Sequence, residues 1–191
     1  MTIFLILAPF GAFAALMLVT SAAISLFAAA AICLMVIAYD LRRGRSVKVL
    51  GAGSAILFLA LGCYLTLVDS SLSISQVKLA VDAGVLAISL TSLVIRRPLT
   101  LQYAREVVDA ETAALPGFLR ANYVITWAWT AAFLLMMAAN LLMIYSPTLP
   151  LWSGLAIAFA ARNTAIYFTK WYPVYRRSKY PTPAASALSG S

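Results

Sequence analysis

The sequence predicts an all-α fold: a polytopic transmembrane bundle of six spans, five as the alternative, with an amphipathic helix at the cytoplasmic surface. Three observations carry this. Hydrophobic residues make up 63% of the chain and charged ones only 10%, against about 45–50% and about 25% in a soluble domain. The apolar residues fall in runs of about 20, the length a helix needs to cross a hydrocarbon core of about 30 Å. The Lys and Arg residues collect in alternate gaps between those runs, which is the pattern of cytoplasmic loops.

The N-terminal stretch carries no charge before Asp40. Two crossings and a turn need about 40 residues, so this stretch just accommodates a hairpin, with spans 2–19 and 22–39 turning near Thr20-Ser21 and kinks at Pro9 and Gly11. The alternative turns at Pro9-Phe10-Gly11 and leaves one tilted span. The start lacks the positive region of a cleaved signal peptide. Four cleaner spans follow at 49–68, 77–95, 123–145 and 149–171, each bounded by charge, proline or a polar cluster. Residues 1–179 thus form one transmembrane domain. The stretch 180–191, rich in Pro, Ala and Ser, is expected to be a disordered cytoplasmic tail.

Orientation follows from the loops. Arg42, Arg43, Arg45 and Lys48 precede the third span, Arg96, Arg97, Arg105 and Arg120 precede the fifth, and Lys170, Arg176, Arg177 and Lys179 follow the sixth. The loops at 69–76 and 146–148 hold no Lys or Arg. The basic loops are therefore expected in the cytoplasm, close to anionic lipid head groups, with both termini inside. Trp127, Trp129, Trp171 and Tyr172 fall near the inner boundary and Tyr145 and Trp152 near the outer one, as interfacial anchors should. Helices ending in Arg42-Arg43, Arg96-Arg97 and Arg176-Arg177 hint at three repeated hairpins, but positive-inside selection alone accounts for the pairs.

Several functions are disfavoured by composition. A formal charge of +8 raises nucleic acid, yet these cations are spread over short loops rather than clustered on one polar face. The two cysteines, Cys33 and Cys63, sit inside apolar runs and the chain has no histidine, so no metal or cofactor is expected. Gly51-Ala-Gly53 lacks the third glycine and the preceding strand of a dinucleotide fingerprint. Small residues four apart, such as Gly154 and Ala158 or Ala128 and Ala132, suit close helix packing in lipid.

The most distinctive stretch is 96–122. Leu101, Ala104, Val108 and Leu115 recur at roughly helical spacing with Arg105, Glu106, Asp109 and Glu111 on the other side, which predicts a surface helix acting as a gate, a docking surface or a plain connector. Arg97-Pro-Leu-Thr-Leu-Gln-Tyr-Ala-Arg-Glu106, followed by Leu115-Pro-Gly-Phe118, Asn122, Ile125-Thr126 and Trp129, resembles a family of small uncharacterised bacterial inner-membrane proteins. The resemblance covers about a fifth of the chain, and its motif residues are Arg97, Pro98, Gln102, Tyr103, Arg105 and Glu106. It implies a multi-pass protein of the bacterial inner membrane and brings no catalytic residue.

Inside the apolar runs, the polar residues that stand out are Arg162, Asn163, Asp82 and Asn140. An arginine near a helix centre costs about 2.5–3.5 kcal/mol on insertion scales, so it is expected to face a cavity, a bundle interior or a partner. Arg162 should lie roughly 12 Å deeper than Asp82 at 1.5 Å per residue, leaving Lys78 as the nearer partner for that carboxylate. The four could line a polar-solute path or form a structural cluster in which Arg162 meets Glu106 or Asp109.

Two functions follow. The first is small-solute or ion transport, working as a homo-oligomer because six short spans leave little room for a private cavity. The second is a non-enzymatic accessory or scaffold subunit bound to a membrane-protein partner. An enzyme ranks third, since no nucleophile–base or metal-ligand constellation is present. A water-accessible cavity reaching Arg162 would mark the transporter. A fully paired Arg162 with a contoured free face would mark the scaffold.

Overall fold

The structure, a computed structural model, describes residues 2–146 and 150–179. All its regular elements are helices: α1 (Thr2–Leu16), α2 (Ala22–Arg42), α3 (Val49–Leu67), α4 (Ile74–Val94), α5 (Leu99–Ala104), α6 (Ala110–Ala114), α7 (Pro116–Tyr145) and α8 (Leu151–Lys179). Four of them, α2, α3, α4 and α7, are long and apolar enough to cross a membrane. At 1.5 Å per residue, α1 is only about 22 Å long. The helix α8 has the length, but Arg162 and Asn163 dilute its apolar run. The expected tail at 180–191 lies outside the described residues.

The N-terminal stretch folds as two helices. Their junction is made by Ser21, whose side-chain oxygen accepts the Ile24 N–H at 3.3 Å, satisfying one orphan donor of the first turn of α2. A reciprocal Ser73–Gln76 capping box starts α4 at Ile74, three residues before the expected start of the span at 77. Pro116 in the first turn of α7 starts that helix at the end of the loop. Its missing N–H and fixed φ suit a first helical position. The predicted surface helix over 96–122 is therefore replaced by two short helices and the opening turns of α7.

The loops that carry the basic residues meet at one end of the bundle. Lys48 contacts Glu106, and Arg176 of α8 donates to the Gly117 carbonyl of α7 at 2.7 Å. Both helices that arrive there before a loop close the same way. Gly44 (φ 69°) follows α2 and Arg96 (φ 57°) follows α4, with Arg45 N–H reaching Asp40 O and Arg97 N–H reaching Ser92 O, each at 2.9 Å. This left-handed closure normally selects glycine, so Arg96 holds it against a steric preference.

The main core lies where α1, α2, α3 and the N-terminal half of α4 converge. Phe58 is fully buried there, with its ring 5.5 Å from that of Phe10 and 5.7 Å from that of Phe13. A Cβ on Gly53 would sit 3.0 Å from the Ile88 side chain, so the absent side chain is what lets α3 and α4 approach. The helix α8 packs chiefly on α7, through Ala132, Ala161 and Ala165 with Trp129 and Met136 alongside. Trp129 is turned inward for this purpose, its indole N–H donating to Thr169 Oγ1 at 2.9 Å. Trp127, Trp171, Tyr145 and Trp152 are exposed.

Candidate functional site

The conspicuous constellation is a cluster of opposed charges at the basic end. The tight turn at Gly44 folds the chain back so that Lys48, one residue before α3, returns beside Asp40 in the last turn of α2. The Lys48 ammonium is 5% exposed and lies 2.5 Å from Asp40 Oδ2 and 3.0 Å from Glu106 Oε1. Arg45 approaches the same two carboxylates at 3.6 and 3.9 Å from the more exposed side. Two acids and two bases cancel, which is what a site withdrawn from water demands.

The distinctive motif supplies the lid of this cluster. Pro98 is buried at the start of α5, and Leu99 and Leu101 anchor that helix in the bundle at 3% and 5% exposure. Gln102 Oε1 accepts the Val49 N–H at 2.7 Å, capping the first turn of α3. The Lys48 ammonium stands 5.3 Å from the centre of the Tyr103 ring. Arg97 and Arg105 point outward. The motif is thus a clasp that binds α5 to the α2–α3 turn. Glu106 faces inward, contrary to the expected solvent-facing side of a surface helix, because α5 stops at Ala104 and the chain turns over the cluster.

Burial, reinforced by the Asp40 and Glu106 carboxylates, pushes the Tyr103 phenol well above its ordinary range. A raised value means that the folded protein holds this proton more tightly than the unfolded chain. Its stabilising share is then complete below the ordinary tyrosine value of about 10 and declines as pH climbs beyond it. In a phenolate absorbance titration of the folded protein, Tyr103→Phe is expected to match the wild-type curve up to about pH 11. A smaller phenolate amplitude in the variant over that range would show that Tyr103 ionises normally.

Behind the cluster is a cavity of about 40 Å³ lined by residues that include Phe10, Cys33, Ile37, Lys48, Ser54 and Tyr103. Ser54 Oγ is buried and has no hydrogen-bond partner among the described residues. The space suits roughly three or four water molecules at about 10–15 Å³ each and is too small for an organic solute.

The four intramembrane candidates separate into two places. Asp82 accepts a hydrogen bond from Asn140 Nδ2, tying α4 to α7, and no cation lies within ion-pair distance of it among the described residues. The same seam continues toward the basic end through Ser89–Thr130 at 2.7 Å and Thr126–Thr100 at 2.9 Å. Thr100 also donates to the Asn122 carbonyl at 3.0 Å. Arg162 and Asn163 are elsewhere, exposed on α8. Asn163 donates to the Phe159 carbonyl of its own helix at 2.7 Å, and the Arg162 guanidinium stands 5.8 Å from the Phe159 ring. Glu106 is held by Lys48 and Asp109 by the start of α6, where its carboxylate accepts the Thr112 N–H at 2.6 Å, so neither meets Arg162.

Between them, α7 and α8 enclose an open groove of about 470 Å³, walled mostly by small residues that include Ala128, Ala132, Ala161, Thr164 and Ala165, with Arg162 outside its lining. Sequence reading singled out Ala128 and Ala132 but not their opposite wall, because helix pairing is invisible in one dimension. It also missed Asp40 and Lys48 as partners. The available signal was a lone acid and a basic residue on either side of Gly44. No family model, curated protein or solved structure matches the chain.

Proposed function

We propose that the chain is a non-enzymatic accessory subunit of a bacterial inner-membrane assembly, and that its α7–α8 hairpin is the face on which a partner transmembrane helix docks. In this reading α1 and α8 also cross the bilayer, giving six spans with the basic end and both termini in the cytoplasm beside anionic lipid. The alternation of basic loops and the resemblance of the Arg97–Glu106 motif to small bacterial inner-membrane proteins support that placement.

The observation that carries the proposal is the open groove of small residues between α7 and α8. Small residues on such a wall let a second helix approach closely in lipid.

A photoreactive amino acid at Ile157, on the groove wall, is expected to yield a discrete cross-linked product in intact bacterial membranes. Filling the groove with Ala161→Leu should abolish that product, while a probe at Leu34 on α2 yields none. Equal yields at the two positions would remove the docking face.

Small-solute or ion permeation is a second reading, favoured by the Asp82–Asn140 pair and the hydroxyl contacts that α4 and α5 make with α7. Flux through vesicles holding only the purified chain, lost on Asp82→Asn, would favour it over docking.

A further inference from the structure

We infer that the chamber behind the charge cluster is a binding site for water, a short hydrogen-bonded string of molecules that enters past Arg45 and ends on Ser54.

The seat is read from Ser54. A serine or threonine inside a helix can place its hydroxyl by donating to the carbonyl four residues back. Ser25, Thr66, Thr130 and Thr169 all do so, at 2.8 to 3.0 Å. Ser54, in the second turn of α3, does not. Its oxygen is buried and finds no partner among the described residues, and the residue lines the chamber. A buried hydroxyl left unpaired loses its hydration without compensation, so a conformation that forgoes the helix carbonyl calls for a partner inside the chamber.

The other end of the chamber is polar as well, because Asp40 and Lys48 line it. An ammonium has three donors, and the two carboxylates beside Lys48, those of Asp40 and Glu106, leave one for a further acceptor. Along the axis of α3, Ser54 stands about 7–8 Å beyond Val49. Two waters joined by hydrogen bonds of about 2.8 Å cover that distance. The wall gives them room, since a Cβ added to Gly51 would meet only the Ile37 side chain, at 3.8 Å. The way in is at the basic end, where Arg45 and Val47 line the chamber and are partly exposed.

Charge and size choose the occupant. Asp40, Glu106, Lys48 and Arg45 already cancel, so an ion of either sign would bring an uncompensated charge into a site withdrawn from water. Cavities that stay empty have apolar walls, and this one does not. At about 40 Å³ it takes nothing larger than a few waters.

The thiol of Cys33 lines the same chamber and is 2% exposed, which makes it a built-in probe. The full protein in lipid nanodiscs is given short X-ray pulses that split water into hydroxyl radicals, and oxidation of each residue is followed by mass spectrometry. Radicals formed inside the chamber reach Cys33 without passing through bulk solvent. Cys33 is expected to be oxidised several-fold faster than Met17, a sulfur of similar burial in the same core but outside the chamber. Ser54→Ala, which removes the seat and keeps the space, should cut the Cys33 rate several-fold. Gly51→Val, which fills the space and keeps the hydroxyl, should do the same, with circular dichroism confirming that each variant folds. Oxidation of Cys33 as slow as that of Met17 in the wild type would mean a dry chamber and overturn the inference without recourse to any variant. A Cys33 rate unmoved by Ser54→Ala would overturn Ser54 as the end of the string.

Discussion

Replacing Lys48 by methionine is expected to destabilise the bundle by about 3–5 kcal/mol, the range for removing one partner of a buried ion pair. Methionine nearly preserves the stem volume, so packing is little disturbed and the loss is electrostatic. Asp40 and Glu106 would then face each other across a site with only the more exposed Arg45 at 3.6 and 3.9 Å to offset them. Combining Lys48→Met with Asp40→Asn and Glu106→Gln should recover most of the loss, because no uncompensated charge remains. Thermal unfolding in detergent, followed by circular dichroism, checks both variants. A single variant as stable as the wild type would mean that the cluster is solvated and its short distances contribute little.

Phe58→Ala comes second, with an expected cost of about 3 kcal/mol, the lower end for deleting a core aromatic. The lower end applies because an unfolded membrane chain keeps the phenyl group in apolar surroundings, so little transfer free energy is lost. What disappears is the fill of the void and two tilted ring contacts, worth about 0.5–1.5 kcal/mol each. Those rings belong to Phe10 and Phe13, the residues that fasten α1 to the bundle. The variant should therefore loosen α1 before the remainder. A cysteine at Phe13→Cys should react with a small maleimide markedly faster in the Phe58→Ala background. Unchanged reactivity together with full stability would show that α1 is held by other contacts.

How the chain divides into helices was legible because lipid is a uniform solvent that tests each run separately. A run of apolar residues such as 49–68 is helical whatever lies beside it, since its backbone polar groups have no other partner there. The exceptions have local causes. Pro116 and the Ser73–Gln76 box moved two helix starts into stretches that looked like loop. The segment after Arg96 read as one surface helix because Leu101 and Glu106 fit helical spacing, but Glu106 is drawn to Lys48, more than fifty positions away in sequence, and the helix breaks to deliver it.

The candidate site was half legible. Asp82, Asn140, Arg162 and Asn163 stood out individually because polar groups in apolar runs are costly. Their grouping did not: Asp82 and Asn140 meet, and Arg162 and Asn163 face away.

By itself the sequence determined that long apolar helices alternate with basic and neutral loops, because hydrophobic length and charge placement are additive properties of single segments. Only tertiary structure decided that Lys48 lies between Asp40 and Glu106, that Trp129 turns inward to Thr169, and that α8 leaves Arg162 uncovered. Those outcomes depend on which helix faces which and at what rotation. Pair contacts set that rotation through shape and charge, and no single segment contains it.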